Sequence, residues 1–254
     1  MTNSIDLNSD LGEGFGPWSM GDDPAMLQIV TSANIACGGH ASDPETMFQT
    51  LTLAKQNGVC VGAHPGYNDP MGFGRRVIPM SLPEIGRMVA AQVGSLQGLA
   101  KMVDVPVRYI KAHGALANYA AANADAAAAY IDAVMQIDPT LTILAISGTQ
   151  LEVVARAKGA PCASEIFADR GYQANGQLVP RGQSGAMIHD PSEAAERLLG
   201  FLESGLMPVV GGDPIKLRAE SICVHGDSPS AVAMAAEIRD RLTNAGVSVA
   251  PFVG

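Results

Sequence analysis

Seven short apolar, β-branched runs recur along this 254-residue chain, each followed by a longer stretch, most of helical period, and no other feature restricts the fold as strongly. The runs cover residues 5–8, 33–37, 59–63, 107–111, 142–146, 163–167 and 222–225. Strand-then-helix order of this kind reads as parallel strands joined by crossover helices. The helices mark their own ends. Asp43 and Pro44 are an N-cap and first helical residue, with Met47, Leu51 and Ala54 on one face and Gly58 as the stop. Ser81 with Glu84 has capping-box spacing, and Thr149 with Glu152 repeats it before Gly159. Asp190, Pro191 and Glu193 open a helix that closes at Gly205; Ser228 and Pro229 open the last, which closes at Gly246. The alanine-rich stretch 120–129 is helix-forming.

The length suits one large α/β domain over residues 1–254, and 47% hydrophobic against 16% charged residues supplies a core easily. A net charge of −9, spread along the chain, repels phosphate backbones and anionic bilayers, so nucleic acid and membrane are not expected partners. No apolar stretch is long enough to span a bilayer, and the polar, acidic start lacks the basic-then-apolar pattern of a secretory signal. The expected location is the cytoplasm. There Cys37, Cys60, Cys162 and Cys223, with no C-x-x-C pair, read as small buried hydrophobes.

In parallel α/β folds ligands gather beyond the C-terminal ends of the strands. Here almost every run leads into ionisable residues. In D-L-N-S-D the period of two puts Asp6, Asn8 and Asp10 on one face and Leu7 and Leu11 on the other, with Glu13 just beyond. The second run leads to His40 and Asp43, the third to His64, Asp69, Arg75 and Arg76, and the fourth to Lys111 and His113. Glu165 lies on the sixth, with Asp169 and Arg170 after it; His225 and Asp227 end the last. Four of the five histidines therefore sit at strand ends, a convergence that packing alone does not explain. The fifth, His189, reads as support for the helix start at Asp190, itself an N-cap. Asp43 is either a helix cap or a residue of the active rim, and Arg75-Arg76 is either a solvated turn or an anion clamp. Two glycine-rich stretches without helical period, 66–79 and 171–188, read as a long functional loop and a hairpin or flap.

The stretches D-L-N-S-D-L-G-E-G-F-G, S-A-N-I-A-C-G-G-H, G-A-H-P-G-Y with G-F-G-R-R, S-E-I-F-A-D-R-G-Y, L-V-P-R and I-C-V-H-G-D together resemble the lactam-utilisation family, the A components of 5-oxoprolinase, over nearly the whole chain. The resemblance implies a (β/α)7 barrel of the glycoside hydrolase/deacetylase type. It also implies a part in the ATP-driven opening of 5-oxo-L-proline to L-glutamate, with B and C subunits as partners and a small lactam as substrate. Three positions depart from the family's usual pattern: Ala112 stands for proline, Ala117 for tyrosine and Ser9 for cysteine.

The sequence has no G-x-x-x-x-G-K-[ST] loop, so ATP, a cosubstrate, is expected to be handled partly or wholly by the partner subunits. That leaves this chain the hydrolytic half. The expected roles are Asp10 or Glu13 as general base, His64 or His113 as general acid, and Lys111 with Arg75 or Arg76 stabilising phosphate or oxyanion charge. Asn8, Glu165, Asp169, Arg170, His225 and Asp227 are candidate substrate contacts. Two readings compete. In one the chain is a metal-dependent amidase or deacetylase-like hydrolase, with Asp10, His40 and His64 around a divalent ion. In the other it only binds substrate within the complex.

Overall fold

The computed structural model describes residues 4–225 and 230–254. Strands β1 (Ser4–Leu11), β2 (Ser32–Ala36), β3 (Cys60–His64), β4 (Val107–Ile110), β5 (Thr142–Ile146) and β6 (Cys162–Phe167) pair in chain order, all parallel. Two short strands, β7 (Leu206–Met207) and β8 (Ile215–Lys216), form an antiparallel pair outside this array. The chain then adds β9 (Ser221–Cys223) beside β6 and closes the ring on β1, with Asp6, Leu7 and Asn8 opposite Ser221, Ile222 and Cys223. A seven-stranded parallel barrel results, and β10 (Ser248–Val249) extends the foot of β1. Every expected strand is present, though His225 lies two residues beyond the last one.

Helices α1 (Asp23–Met26), α2 (Pro44–Asn57), α3 (Leu82–Met102), α4 (Gly114–Ala122), α5 (Ala124–Ile137), α6 (Gln150–Ala157), α7 (Pro191–Ser204) and α8 (Ala231–Asn244) complete the array. Outward strand residues such as Leu7, Ile35, Val61, Ile143, Ile166 and Ile222 join Leu51, Val89, Leu96, Ile131, Leu198 and Ile238 of the helices in one buried layer. Each such side chain contributes roughly 1.5–3 kcal/mol by leaving water. No helix among the described residues is long and apolar enough to cross a membrane.

Asp43 caps α2 by accepting from the Glu45 and Thr46 backbone N–H groups, and Gly58 ends it at φ 66°. Asp190 caps α7 through Glu193 N–H, while His189 beside it is exposed. The Thr149–Glu152 box does not form. The Thr149 hydroxyl donates to the Ile146 carbonyl, and Glu152 accepts instead from Gly148 N–H, Arg156 and Ser164, because the β6 hydroxyl lies within its reach. The alanine-rich stretch breaks at Asn123, whose side chain caps α5. Ser228 and Pro229 lie outside the described residues; α8 is described from Ala231.

Inside the barrel the even-numbered face of β1 is buried and polar. Asp6 at the foot accepts from the hydroxyls of Thr31, Ser32 and Ser221. Asn8, one layer up, donates to Ser221 and Glu165 and accepts from Asn34. Tyr109 fills the space opposite, its hydroxyl donating to Asn34 Oδ1 at 2.7 Å. Gly62 makes room for that ring, since a Cβ there would stand 2.2 Å from it. Phe252 of the C-terminal tail packs edge-on against Tyr109. Every buried polar group named here has a partner, as a low-dielectric interior demands.

Candidate active site

The third layer of β1 opens the barrel mouth. Asp10 Oδ1 lies 3.0 Å from Lys111 Nζ, just past β4, and accepts from Asn34 at 2.8 Å. Lys111 Nζ also reaches Glu165 Oε1 at 2.9 Å, Asn8 Oδ1 at 3.2 Å and Cys223 Sγ at 3.0 Å. Burial alone would raise the Asp10 carboxyl and lower the Lys111 ammonium. The neighbouring groups prevail: His64 and Lys111 hold Asp10 well below the usual carboxylate range, and Asp10, with Cys223 and Glu165, holds Lys111 well above the usual amine range. Burial raises Glu165 despite the lysine, and keeps Cys223 a thiol.

Beyond this layer the strand-end histidines meet. His40 and His113 stack face to face, ring centres 3.5 Å apart, with His64 edge-on to both. His40 Nε2 lies 3.0 Å from Glu13 Oε1, while its buried Nδ1 has no hydrogen-bond partner among the described residues. His64 Nδ1 donates to the Lys111 carbonyl at 2.8 Å, and His113 Nε2 donates to the Phe73 carbonyl at 2.8 Å. The remaining nitrogens, His64 Nε2 and His113 Nδ1, face each other at 3.1 Å. Burial first, then the neighbouring rings, pushes His40 and His113 well below the usual imidazole range. Phe73 sits at φ 53°, a left-handed conformation that a non-glycine residue adopts under constraint. Its loop is tied down by Arg76, which pairs with Asp69, while Asp69 also caps the short 3-10 turn Pro70–Gly72.

On the far side His225 Nδ1 lies 2.8 Å from Asp169 Oδ2. Burial works against both charges, yet each partner sustains the other: His225 is raised and Asp169 lowered. These groups surround a cavity of ≈ 450 Å³ lined by Asp10, Glu13, His64, Lys111, His113, Glu165 and His225 together with Arg75 and Arg170. So nine of the candidate residues converge.

Others are placed elsewhere. Asn8 lies beneath the cavity, holding Glu165 and Lys111. Asp169 stands behind His225, and Arg76 turns to Asp69 with its side chain largely in solvent. Arg75, by contrast, lies over the Phe73 ring and lines the cavity. Asp227 lies outside the described residues. The expected ligand trio of Asp10, His40 and His64 is not brought together. The ligand atoms within 4.8 Å of one another belong to Glu13, His40, His64 and His113 and, separately, to Asp10, Cys223 and His225. The reason is reach: Glu13, three residues past Asp10, extends over the rim to His40, whereas Asp10, whose Oδ2 lies 3.4 Å from His64 Nε2, sits lower beside Lys111.

The stretch 171–188 folds over the cavity through the bridges Arg170–Met187 and Tyr172–Leu178, and Arg170 pins it by donating to the carbonyls of Val179 and Ala186. It brings in Gln173, Gln177 and Arg181, which the strand-end pattern misses; the sequence signal was the R of L-V-P-R inside a glycine-rich insertion. Ala112 and Ala117 both line the cavity, so the absent proline and tyrosine of the resemblance would have bordered it.

Known proteins match this chain along nearly its whole length. A protein from Rhodopseudomonas palustris, named as the A subunit of 5-oxoprolinase, is 49% identical over 98% of this chain and 99% of its own. Another of the same name, from Pseudomonas syringae, is 50% identical over 99% and 98%. The crystal structure of a lactam utilization protein from Thermus thermophilus superposes with a TM-score of 0.92 at 38% identity, covering 97% of this chain and 99% of that one. Residues 5–254 match the LamB/YcsF family, to which this chain belongs.

Proposed function

We propose that this chain is the hydrolytic component of an ATP-dependent 5-oxoprolinase, opening 5-oxo-L-proline to L-glutamate together with B and C subunits. The observation that carries the reading is the Asp10–Lys111 pair, a carboxylate kept ionised beside a buried ammonium at the cavity wall. It stands in a chain about half identical to proteins named for that activity. A lactam amide resists water because its carbonyl is a poor electrophile. Phosphoryl transfer from ATP to the amide oxygen, a step assigned to the partner subunits, would remove that barrier.

The chain's own residues then have definable work. Asp10 accepts a proton from the water that attacks the ring carbon. Lys111 and Arg75 stabilise the negative charge that gathers on oxygen and phosphate. The C–N bond breaks and the ring nitrogen leaves as an amine, taking a proton from an acid. The geometry favours His225 for that acid over His64 or His113. Asp169 raises His225 above the usual imidazole range and orients its ring, whereas the two other rings each commit an N–H to a backbone carbonyl. A second water releases phosphate. The 171–188 segment, with Arg181 and Gln173 on the cavity, excludes bulk water while this occurs.

The test is glutamate release from 5-oxoproline and ATP, with this chain mixed with candidate B and C subunits and each omitted in turn. Release that requires every component is the expected result. No release from folded, assembled partners would sink the reading and send the search to other amides and acetylated sugars.

A further inference from the structure

His64 Nε2 and His113 Nδ1, the two facing ring nitrogens, have no part in the hydrolytic roles above. A carbonyl oxygen only accepts, so His64 Nδ1 and His113 Nε2 must both carry their protons. In the neutral rings, His64 Nε2 and His113 Nδ1 then present lone pairs to each other across 3.1 Å. Two lone pairs at that separation repel unless an electrophile lies against both. The carboxylate oxygen of Glu13 stands 3.5 Å from the same His113 nitrogen, and Asp10 Oδ2 stands 3.4 Å from the His64 one.

We propose that His64 Nε2, His113 Nδ1 and Glu13 Oε1 form a divalent-cation site of the zinc class, with His40 positioning Glu13 from behind. The donor set is two imidazoles and one carboxylate, the composition of catalytic zinc sites that keep a position open. Nitrogens bound at about 2.1 Å to one ion stand roughly 2.9–3.4 Å apart, which brackets the separation here. Each imidazole donates its other N–H to a backbone carbonyl, the outer-sphere arrangement that fixes a metal-binding ring. The strained Phe73 supplies one of those carbonyls. His40 Nε2 donates to Glu13 Oε1, leaving Nδ1 as the unpartnered lone pair, the cheaper of its two ring nitrogens to leave unsatisfied. Gly66 and Gly74 allow the ring stack to close: a Cβ at Gly66 would lie 2.8 Å from His40 Nδ1, and one at Gly74 2.6 Å from His40 Cβ. Glu13, His64 and His113 line the cavity, so an ion there would act as a Lewis acid toward an amide or phosphoryl oxygen.

The experiment needs neither substrate nor partner subunits. Full-length protein, stripped with chelator, is titrated with Zn²⁺ by calorimetry and with Co²⁺ by visible absorption. One equivalent should bind, and Co²⁺ should give the ligand-field bands of a low-coordinate nitrogen–oxygen site. Glu13→Gln and His113→Gln, checked for folding by circular dichroism, should each weaken binding at least 100-fold. His40→Ala should weaken it about 10- to 100-fold, the range for an outer-sphere partner. Absence of stoichiometric binding, or binding unchanged in folded Glu13→Gln and His113→Gln proteins, would overturn the proposal. So would a ¹⁵N-imidazole spectrum of the metal-exposed protein showing a proton, and no ion, between the two rings. None of these outcomes bears on whether the assembled complex releases glutamate.

Discussion

Lys111 Nζ and Asp10 Oδ1 lie 3.0 Å apart on two buried side chains at the cavity wall, although they stand 101 positions apart in the chain. Their partnership makes the mouth of the barrel an ionic site. Replacing Lys111 by methionine keeps the volume and removes the charge, leaving Asp10 and Glu165 to face each other. Loss of one partner of a buried pair costs about 3–5 kcal/mol. Lys111→Met should therefore unfold at markedly lower denaturant and show no turnover. Adding Glu165→Gln should recover part of the stability and none of the activity, measured by urea titration and glutamate release.

Asp10→Asn tests the base directly. The amide keeps the shape and cannot take a proton, so turnover in the assembled complex should fall about 10²- to 10⁴-fold, the usual contribution of a general base. Full turnover from the folded variant would remove Asp10 from that role.

The Asp169–His225 pair gives a pH signature. Asp169 is lowered in the fold, so its stabilisation is present above its ordinary value of 3.8 and is lost as pH falls through the lowered one. His225 is raised, so its stabilisation is full below its ordinary 6.5 and is lost as pH rises through the raised one. The pair thus helps most between about pH 4 and 6.5. Asp169→Asn should cost the most stability inside that window and progressively less above it. An NMR titration should show the His225 midpoint falling in the variant; an unmoved midpoint would refute the pairing.

Ser9 is buried, and its hydroxyl has no hydrogen-bond partner among the described residues. An unsatisfied buried hydroxyl costs about 1–3 kcal/mol. Ser9→Cys, the residue of the resemblance, should raise unfolding stability by about 1 kcal/mol without changing turnover. A lower denaturation midpoint would show that the hydroxyl is solvated after all.

Much of the fold was legible because its signals are local. The two-residue period of D-L-N-S-D puts Asp6, Asn8 and Asp10 inward and Leu7 outward whatever the rest of the chain does, and the structure agrees. Asp43 and Asp190 cap helices through backbone groups two or three residues away. The Thr149–Glu152 box had the same spacing and failed, since Ser164 and Arg156 offered Glu152 better partners from outside the local sequence.

The sequence by itself determined the strand-and-helix order, the inward polar face of β1 and the gathering of histidines at strand ends, since each rests on residue spacing within one element. Only the tertiary structure decided which of those groups touch. Spacing cannot say that Glu13, not Asp10, meets His40, or that Arg75 faces the cavity while Arg76 turns to Asp69. Nor can it say that two rings would present lone pairs to each other, a result of carbonyls at Lys111 and Phe73 brought in from different strands and loops. Side-chain contact depends on how barrel closure staggers neighbouring strands, and that stagger is a property of the whole ring.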